Sequence, residues 1–346
     1  MSTEDKDLQL TLKLKLLLVL TGTVFGVLLL GGVFVFLSFR ESATNFDSLE
    51  DFRAAMVQRD DRDTKGDQSV SLRSIIVPNS ADDIIYELKP DLSVKFQGVD
   101  VAINSHGMRY RDVPLEKKEG TYRVALLGDS FVFGWGVEQS KTFASIFEKE
   151  LPKYINKNNV EVLNFGVPGY STFQEVAKFV AKDHLFKPDA VVVYFIDNDF
   201  GLPFFIGNNG DNPLISSLQF VKKAWKGDDP EAQAKQRKLE ALANPNKALI
   251  KLANFLKKDQ IPLFLVINPG KDAKKLGSRL WALKDRKDIV RIGLLKSVNE
   301  EIASRGLKPD QLRLPTDPHP SEIKHDIIGR KMAEKIGNHL QGISAE

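Results

Sequence analysis

The sequence predicts an α/β fold: a flavodoxin-like three-layer α/β/α sandwich around a mostly parallel sheet, preceded by one transmembrane helix. Three observations predict it. Short apolar runs rich in β-branched residues alternate with segments of helical periodicity, the pattern of a parallel sheet covered on both faces. Each run ends in glycine, asparagine or aspartate, and sheets of this kind bind ligands at those strand ends. A separate uncharged run near the N-terminus is long enough to cross a bilayer.

In chain order, residues 1–15 form a short tail and residues 16–39 the anchor. From Leu16 to Phe39 no charge interrupts 24 residues. At 1.5 Å per residue a helix of this length measures roughly 36 Å, enough to cross a hydrocarbon core of about 30 Å with some tilt. A cleaved signal would carry a shorter apolar region and a small-residue cleavage site. Here the run ends in Arg40-Glu41, so an uncleaved anchor is expected. Lys6, Lys13 and Lys15 precede the span while Arg40, Arg53 and Arg59 follow it. The count ties, but Lys13 and Lys15 crowd the membrane edge, which favours a single-pass topology with the large domain outside the cytoplasm. Gly22-x-x-x-Gly26 permits close helix approach, though the oligomeric state stays open.

Residues 40–74 read as a polar stalk with a short amphipathic helix from Leu49 to Val57. Residues 75–346 form the main domain. Its first element is a hairpin within Asp82 to Asn104, turning through Gln97-Gly98. Four strands follow: RVALLG (123–128), VEVLNFG (160–166), DAVVVYFI (189–196) and IPLFLVIN (261–268). Helical patterns separate them, TFASIFEKELPKYI (142–155), STFQEVAKFVAKDHL (171–185) and NKALIKLANFLKKD (246–259), each apolar on one face. The chain closes with a helix over 321–340, Ser321 its N-cap. An insertion at about 200–246 follows the third strand, either a lid over the strand ends or a surface segment.

Composition removes several functions. The chain has 49 basic and 46 acidic residues, so no global field favours nucleic acid. It has no cysteine, which excludes disulfides, thiolate metal sites and cysteine nucleophiles. No H-E-x-x-H, phosphate loop or G-x-S-x-G elbow occurs, and Gly134-Trp135-Gly136 lacks the third glycine of a dinucleotide fingerprint. No metal and no cofactor are expected.

The strand ends bring Gly128-Asp129-Ser130, Asn164 to Gly169, Asp197-Asn198-Asp199 and Asn268-Pro269-Gly270 to one rim. A serine hydroxyl needs a base to act as nucleophile, and the base needs an orienting group. Of five histidines, His319 stands out in the proline-stiffened LPTDPHPS before the last helix, with Asp317 two residues upstream. The catalytic set is therefore Ser130 and His319, with either Asp317 or a backbone carbonyl orienting the imidazole. The developing oxyanion needs donors, which the amides of Ser130 and Gly169 and the side-chain nitrogen of Asn198 would supply.

These residues resemble the blocks of the SGNH or GDSL-type hydrolases. Gly128-Asp129-Ser130 is similar to the first block, Asn164 to Thr172 (NFGVPGYST) to the second, Asn198-Asp199 to the third, and Asp317 with His319-Pro320 to the last. The resemblance runs from about Asn104 to His339, with Ile196 replacing the usual glycine of block three and Thr316 at the usual acid position three residues before the histidine. It implies a serine esterase, O-deacylase or O-acyltransferase without cofactor. With the catalytic domain outside the cytoplasm, the expected partners are the membrane and an acyl ester of envelope polysaccharide or lipid. The alternative from another class is a catalytically silent glycan-binding protein of the cell envelope. A nucleotide-binding module would need the phosphate loop that the first strand lacks.

Overall fold

The computed structural model describes residues 69–81, 83–200, 244–315 and 317–342, with Thr21, Pro230 and Ala234. The tail, nearly all of the proposed anchor at 16–39, the stalk up to residue 68 and most of the insertion lie outside the described residues, as does the side chain of Asp317. Among the described residues no helix is long and apolar enough to cross a membrane.

The folded region begins before residue 75. Val70 bridges Phe96, and Leu72 and Ile75 of a 3-10 turn are buried, so residues 69–74 belong to the domain and not to the stalk. The polar look of SLRS misleads, because Ser71 is buried together with Leu72 and only Ser74 is exposed. Strands β1 (Ile76–Pro78) and β2 (Tyr86–Leu88) then pair antiparallel. The expected hairpin follows as β3 (Leu92–Phe96) and β4 (Val99–Ile103), turning at Gln97 and Gly98, both at positive φ as a tight hairpin turn requires.

The central sheet is five parallel strands. β5 (Thr121–Leu127) leads into a single helical turn, α1 (Ser130–Phe133), and then α2 (Phe143–Glu150), which stops as Pro152 approaches. β6 (Asn159–Asn164) leads into α3 (Thr172–Ala181), and β7 (Ala190–Phe195) into a 3-10 turn, Asp197–Phe200. After the insertion come α4 (Pro245–Leu256), β8 (Leu263–Ile267), α5 (Ala273–Arg279), β9 (Ile289–Gly293) and α6 (Leu295–Ser304). A short antiparallel pair, β10 (Arg313–Leu314) and β11 (Asp317–Pro320), carries the chain into α7 (Glu322–Leu340), capped by Ser321 as expected.

Strand order is β6-β5-β7-β8-β9. The order reverses between β5 and β7, so the loops after these two strands flank the switch point where open α/β sheets bind ligands. β7, central and buried at every residue, needs an unbroken apolar sequence because helices cover both its faces. On one face Leu126, Val192 and Phe264 pack with Phe143 and Phe147 of α2 and Ile327, Ile328 and Met332 of α7. On the other, Leu127, Val193 and Leu265 meet Phe179 of α3 and Leu249 and Leu252 of α4. Each such side chain stabilises the fold by about 1.5–3 kcal/mol when fully buried. A third cluster joins Tyr86, Phe96 and Ile103 of the N-terminal strands to Phe133, Val167, Tyr170 and Phe173. The N-terminal layer thus braces the loops after β5 and β6.

Candidate active site

The site grows from the end of β5. Asp129 caps α1: its carboxylate accepts the Phe131 N–H at 2.9 Å, which turns the chain and leaves Ser130 at the first helical position. Asn164, at the end of β6, donates to the Val132 carbonyl at 2.9 Å and accepts the Gly166 N–H at 3.0 Å, tying the second loop to this turn. Gly169 lies in that loop at φ +80°, a backbone conformation that favours glycine. Tyr86 donates to the Pro168 carbonyl at 2.8 Å, so the N-terminal layer holds the residue next to Gly169.

Ser130 and His319, 189 residues apart, meet: the hydroxyl oxygen lies 2.7 Å from imidazole Nε2. Ser130 is buried and His319 half-buried. The Ser130 hydroxyl also lies 3.4 Å from Asp129 Oδ2, a weaker contact than the one to the histidine. Asp317 occupies the same short strand as His319, paired to Leu314 through the backbone.

Asn198 departs in part from expectation. Its side-chain nitrogen donates to Asp129 Oδ2 at 2.8 Å, so one of its two N–H groups is committed and one remains for an oxyanion. The side chain is otherwise exposed on the rim. Among the described residues, the Ser130 and Gly169 amides donate to no other group. Ile196 is buried, and its N–H donates to Asp199 at 2.6 Å, which closes the turn carrying Asn198 without the usual glycine.

Sequence reasoning missed three contributors. Asp129 is a hub, holding the helix turn and Asn198 with one carboxylate. Burial pushes its pKa above the usual carboxylate range, and the bonds from Phe131 and Asn198 and the charge of His319 pull less strongly the other way. Behind it sit Asp199, pushed up to about 8 by burial and then by the Asp129 charge, and Glu175, raised well above the carboxylate range by burial and by both aspartates. The second contributor is Trp135, whose ring stacks on His319 at 5.1 Å and 14°, with Phe131 at 5.3 Å. The third is Arg109, almost fully buried, which donates to the carbonyls of Phe133 (3.0 Å), Gly134 (2.7 Å) and Val137 (2.8 Å) and so pins the Trp135 turn. That turn needs its glycines: Gly134 (φ +85°) and Gly136 (φ +68°) lie at positive φ, and a Cβ on Gly136 would stand 2.5 Å from Leu314 of the strand pair carrying His319. The signal available in the sequence was the G-W-G spacing itself.

The chain matches the GDSL-like Lipase/Acylhydrolase family over residues 124–280, a span containing Ser130, Gly169 and Asn198 and ending before His319. Among solved structures, it is similar to a psychrotrophic esterase EstA from Pseudoalteromonas sp. (14% identity, 63% of this chain and 98% of that one, TM-score 0.41). A lipase/acylhydrolase from Enterococcus faecalis gives 15% identity, 63% and 96% coverage and a TM-score of 0.40. A two-domain esterase active on acetylated mannans gives 13% identity and a TM-score of 0.40; the match covers 65% of this chain and 51% of that one. A comparison with curated proteins finds no match. The family match supports an ester-hydrolysing enzyme of the GDSL/SGNH lipase–acylhydrolase type, and the five-stranded parallel sheet fits that fold.

Proposed function

We propose that this chain is a membrane-anchored serine esterase or O-acyltransferase whose nucleophile is Ser130. The observation that carries the reading is the 2.7 Å contact between Ser130 Oγ and His319 Nε2 at the switch point of the sheet. In the first half-reaction Ser130 Oγ attacks the ester carbonyl and its proton passes to Nε2. The oxyanion is met by the Ser130 and Gly169 amides and the second N–H of Asn198. The leaving alcohol takes the proton from His319 as the carbon–oxygen bond breaks, which leaves an acyl-serine. Water, or a sugar hydroxyl in a transferase, then gives its proton to His319 and attacks the acyl group; the acyl–Ser130 bond breaks and Oγ takes the proton back from His319, which releases the acid or the new ester. Asp317 is the proposed orienting acid of the imidazole.

The uncharged run of residues 16–39 supports tethering to a membrane, with the catalytic domain outside the cytoplasm. An O-acylated polysaccharide of the envelope is the substrate class this location favours. A fluorophosphonate probe tests the assignment. Stoichiometric labelling at Ser130, abolished together with turnover of a chromogenic ester in Ser130→Ala, is the expected result; undiminished turnover in that variant would sink it.

A further inference from the structure

The loop after β8 runs into α5 and a 3-10 turn, Trp281–Leu283. From Lys271 to Lys287 the chain carries seven basic and two acidic residues, an excess of +5 against +3 for the whole protein. Lys271, Lys274, Lys275, Arg279 and Lys284 are all exposed. Among the described residues none of them has an ion-pair partner. Among these charges stands Trp281, 74% exposed, the most exposed of the large apolar side chains described. Neither feature serves the fold, since an exposed indole gains nothing from burial and unpaired cations repel one another.

This surface is continuous with the catalytic rim. α5 packs near the end of β8, where a Cβ on Gly277 would lie 3.4 Å from Ile267. The Arg279 guanidinium lies 3.5 Å from the centre of the Phe200 ring, and Phe200 closes the turn that carries Asn198.

We infer that the exposed face formed by α5 and the Trp281 turn docks an anionic polysaccharide and leads its acylated units to Ser130. The inference rests on the esterase reading above and specifies its substrate class. An indole face fits the apolar face of a sugar ring, and lysines on flexible stems meet carboxylates spaced along a polymer. A membrane surface fits less well. It would call for a contiguous apolar patch, whereas among the described residues the other exposed large apolar side chains, Leu115, Leu185 and Ile323, lie on other elements.

The test uses the full-length chain in neutral detergent, with sodium polygalacturonate as the binding probe in calorimetry. The wild type binds, and Lys274→Glu combined with Lys275→Glu weakens binding about tenfold, on the scale of a few exposed charge pairs. Trp281→Ala weakens it severalfold. In about 1 M salt, where the screening length falls to about 3 Å, the wild type loses its advantage over the charge variant. In turnover, the variants lose kcat/KM on O-acetylated polygalacturonate but not on a small chromogenic ester or on neutral acetylated xylan. Equal losses on acidic and neutral polymers, no polygalacturonate binding, or Trp281-dependent binding to phosphatidylglycerol vesicles in its place would each overturn the inference. Failure of the esterase reading shows separately, as absence of small-ester turnover and Ser130 labelling while polymer binding persists.

Discussion

The two ends of the central sheet treat charge in opposite ways. At the N-terminal ends of the strands, buried charges are matched. Arg123, fully buried in β5, donates to Glu161 at 2.7 Å and to the carbonyls of Leu115 (2.9 Å) and Phe186 (2.8 Å). Asp189 accepts the Arg123 N–H and pairs with Lys117, and Lys178 pairs with Asp183 at 2.7 Å. At the C-terminal ends three buried acids, Asp129, Asp199 and Glu175, gather with no cation paired to them among the described residues, and both Glu175 oxygens lack a hydrogen-bond partner. A group that is only structural is neutralised where it is buried; unmatched groups are kept where the fold positions reacting atoms. The matched end should therefore govern stability, and the unmatched end rate.

The largest expected effect comes from breaking the matched end. Arg123→Met leaves Glu161 buried without its cation and frees the bonded carbonyls, a loss of about 3–5 kcal/mol. Urea unfolding measures it, and turnover per folded molecule should not change. A fall in that turnover would mean the two ends are not separable. Next is Asn198→Ala at the unmatched end. Losing one oxyanion donor lowers kcat by about 10²–10³, equivalent to about 2.7–4 kcal/mol. Near-ultraviolet circular dichroism would show the fold retained. Unchanged kcat would remove Asn198 from the oxyanion site.

The same contrast explains what the sequence could reveal. The convergence of Ser130, Gly169, Asn198 and His319 on one rim was legible because strand-end position and residue type restrict where such residues fall, and the blocks occur in order. The central strands were legible because full burial demands uninterrupted apolar runs. β9 was missed because an edge strand is buried at only some positions, and Arg291 interrupts its pattern. Residues 69–74 were read as stalk because Val70 and Leu72 sit singly among polar neighbours. The Asp129–Asn198 bond and the Trp135–His319 stack could not be read, since each joins segments brought together only by folding.

The unmatched acids also set a pH signature. Asp199 has its folded value raised to about 8 by burial, so the folded state holds a proton that the unfolded chain releases near pH 4. Its contribution is fully present below about pH 4 and is lost as pH rises through about 8, with a slope of at most about 1.4 kcal/mol per unit. Buried His325 acts in the opposite sense at lower pH. Burial, then the charges of Arg109, Lys324 and His319, push it down to about 3, so stability falls as pH drops from about 6.5 toward that value. Asp199→Asn keeps an oxygen for the Ile196 N–H, now 2.6 Å from the Asp199 carboxylate, and has no proton to lose. Its stability relative to wild type should rise between pH 5 and pH 9 in urea titrations. A pH-independent difference would show that Asp199 does not titrate in this window.

The smallest effect concerns the base itself. In the proposed mechanism His319 takes the Ser130 proton and becomes a cation stacked 5.1 Å from the Trp135 ring. An indole face attracts a cation by about 0.5–2 kcal/mol, which at 1.4 kcal/mol per decade is about 2–30-fold in rate. The gain falls on kcat because the charge exists only during proton transfer. Trp135→Leu should therefore lower kcat about tenfold with KM for a small ester unchanged, and Trp135→Phe, which keeps a ring face, should recover most of the loss. The turn around residue 135 is pinned by Arg109 through three backbone carbonyls, so the leucine variant should keep its shape, checked by thermal melting. If KM rises while kcat holds, the indole is a wall of the substrate pocket. If phenylalanine performs as poorly as leucine, packing and not the ring's charge distribution holds His319 against Ser130.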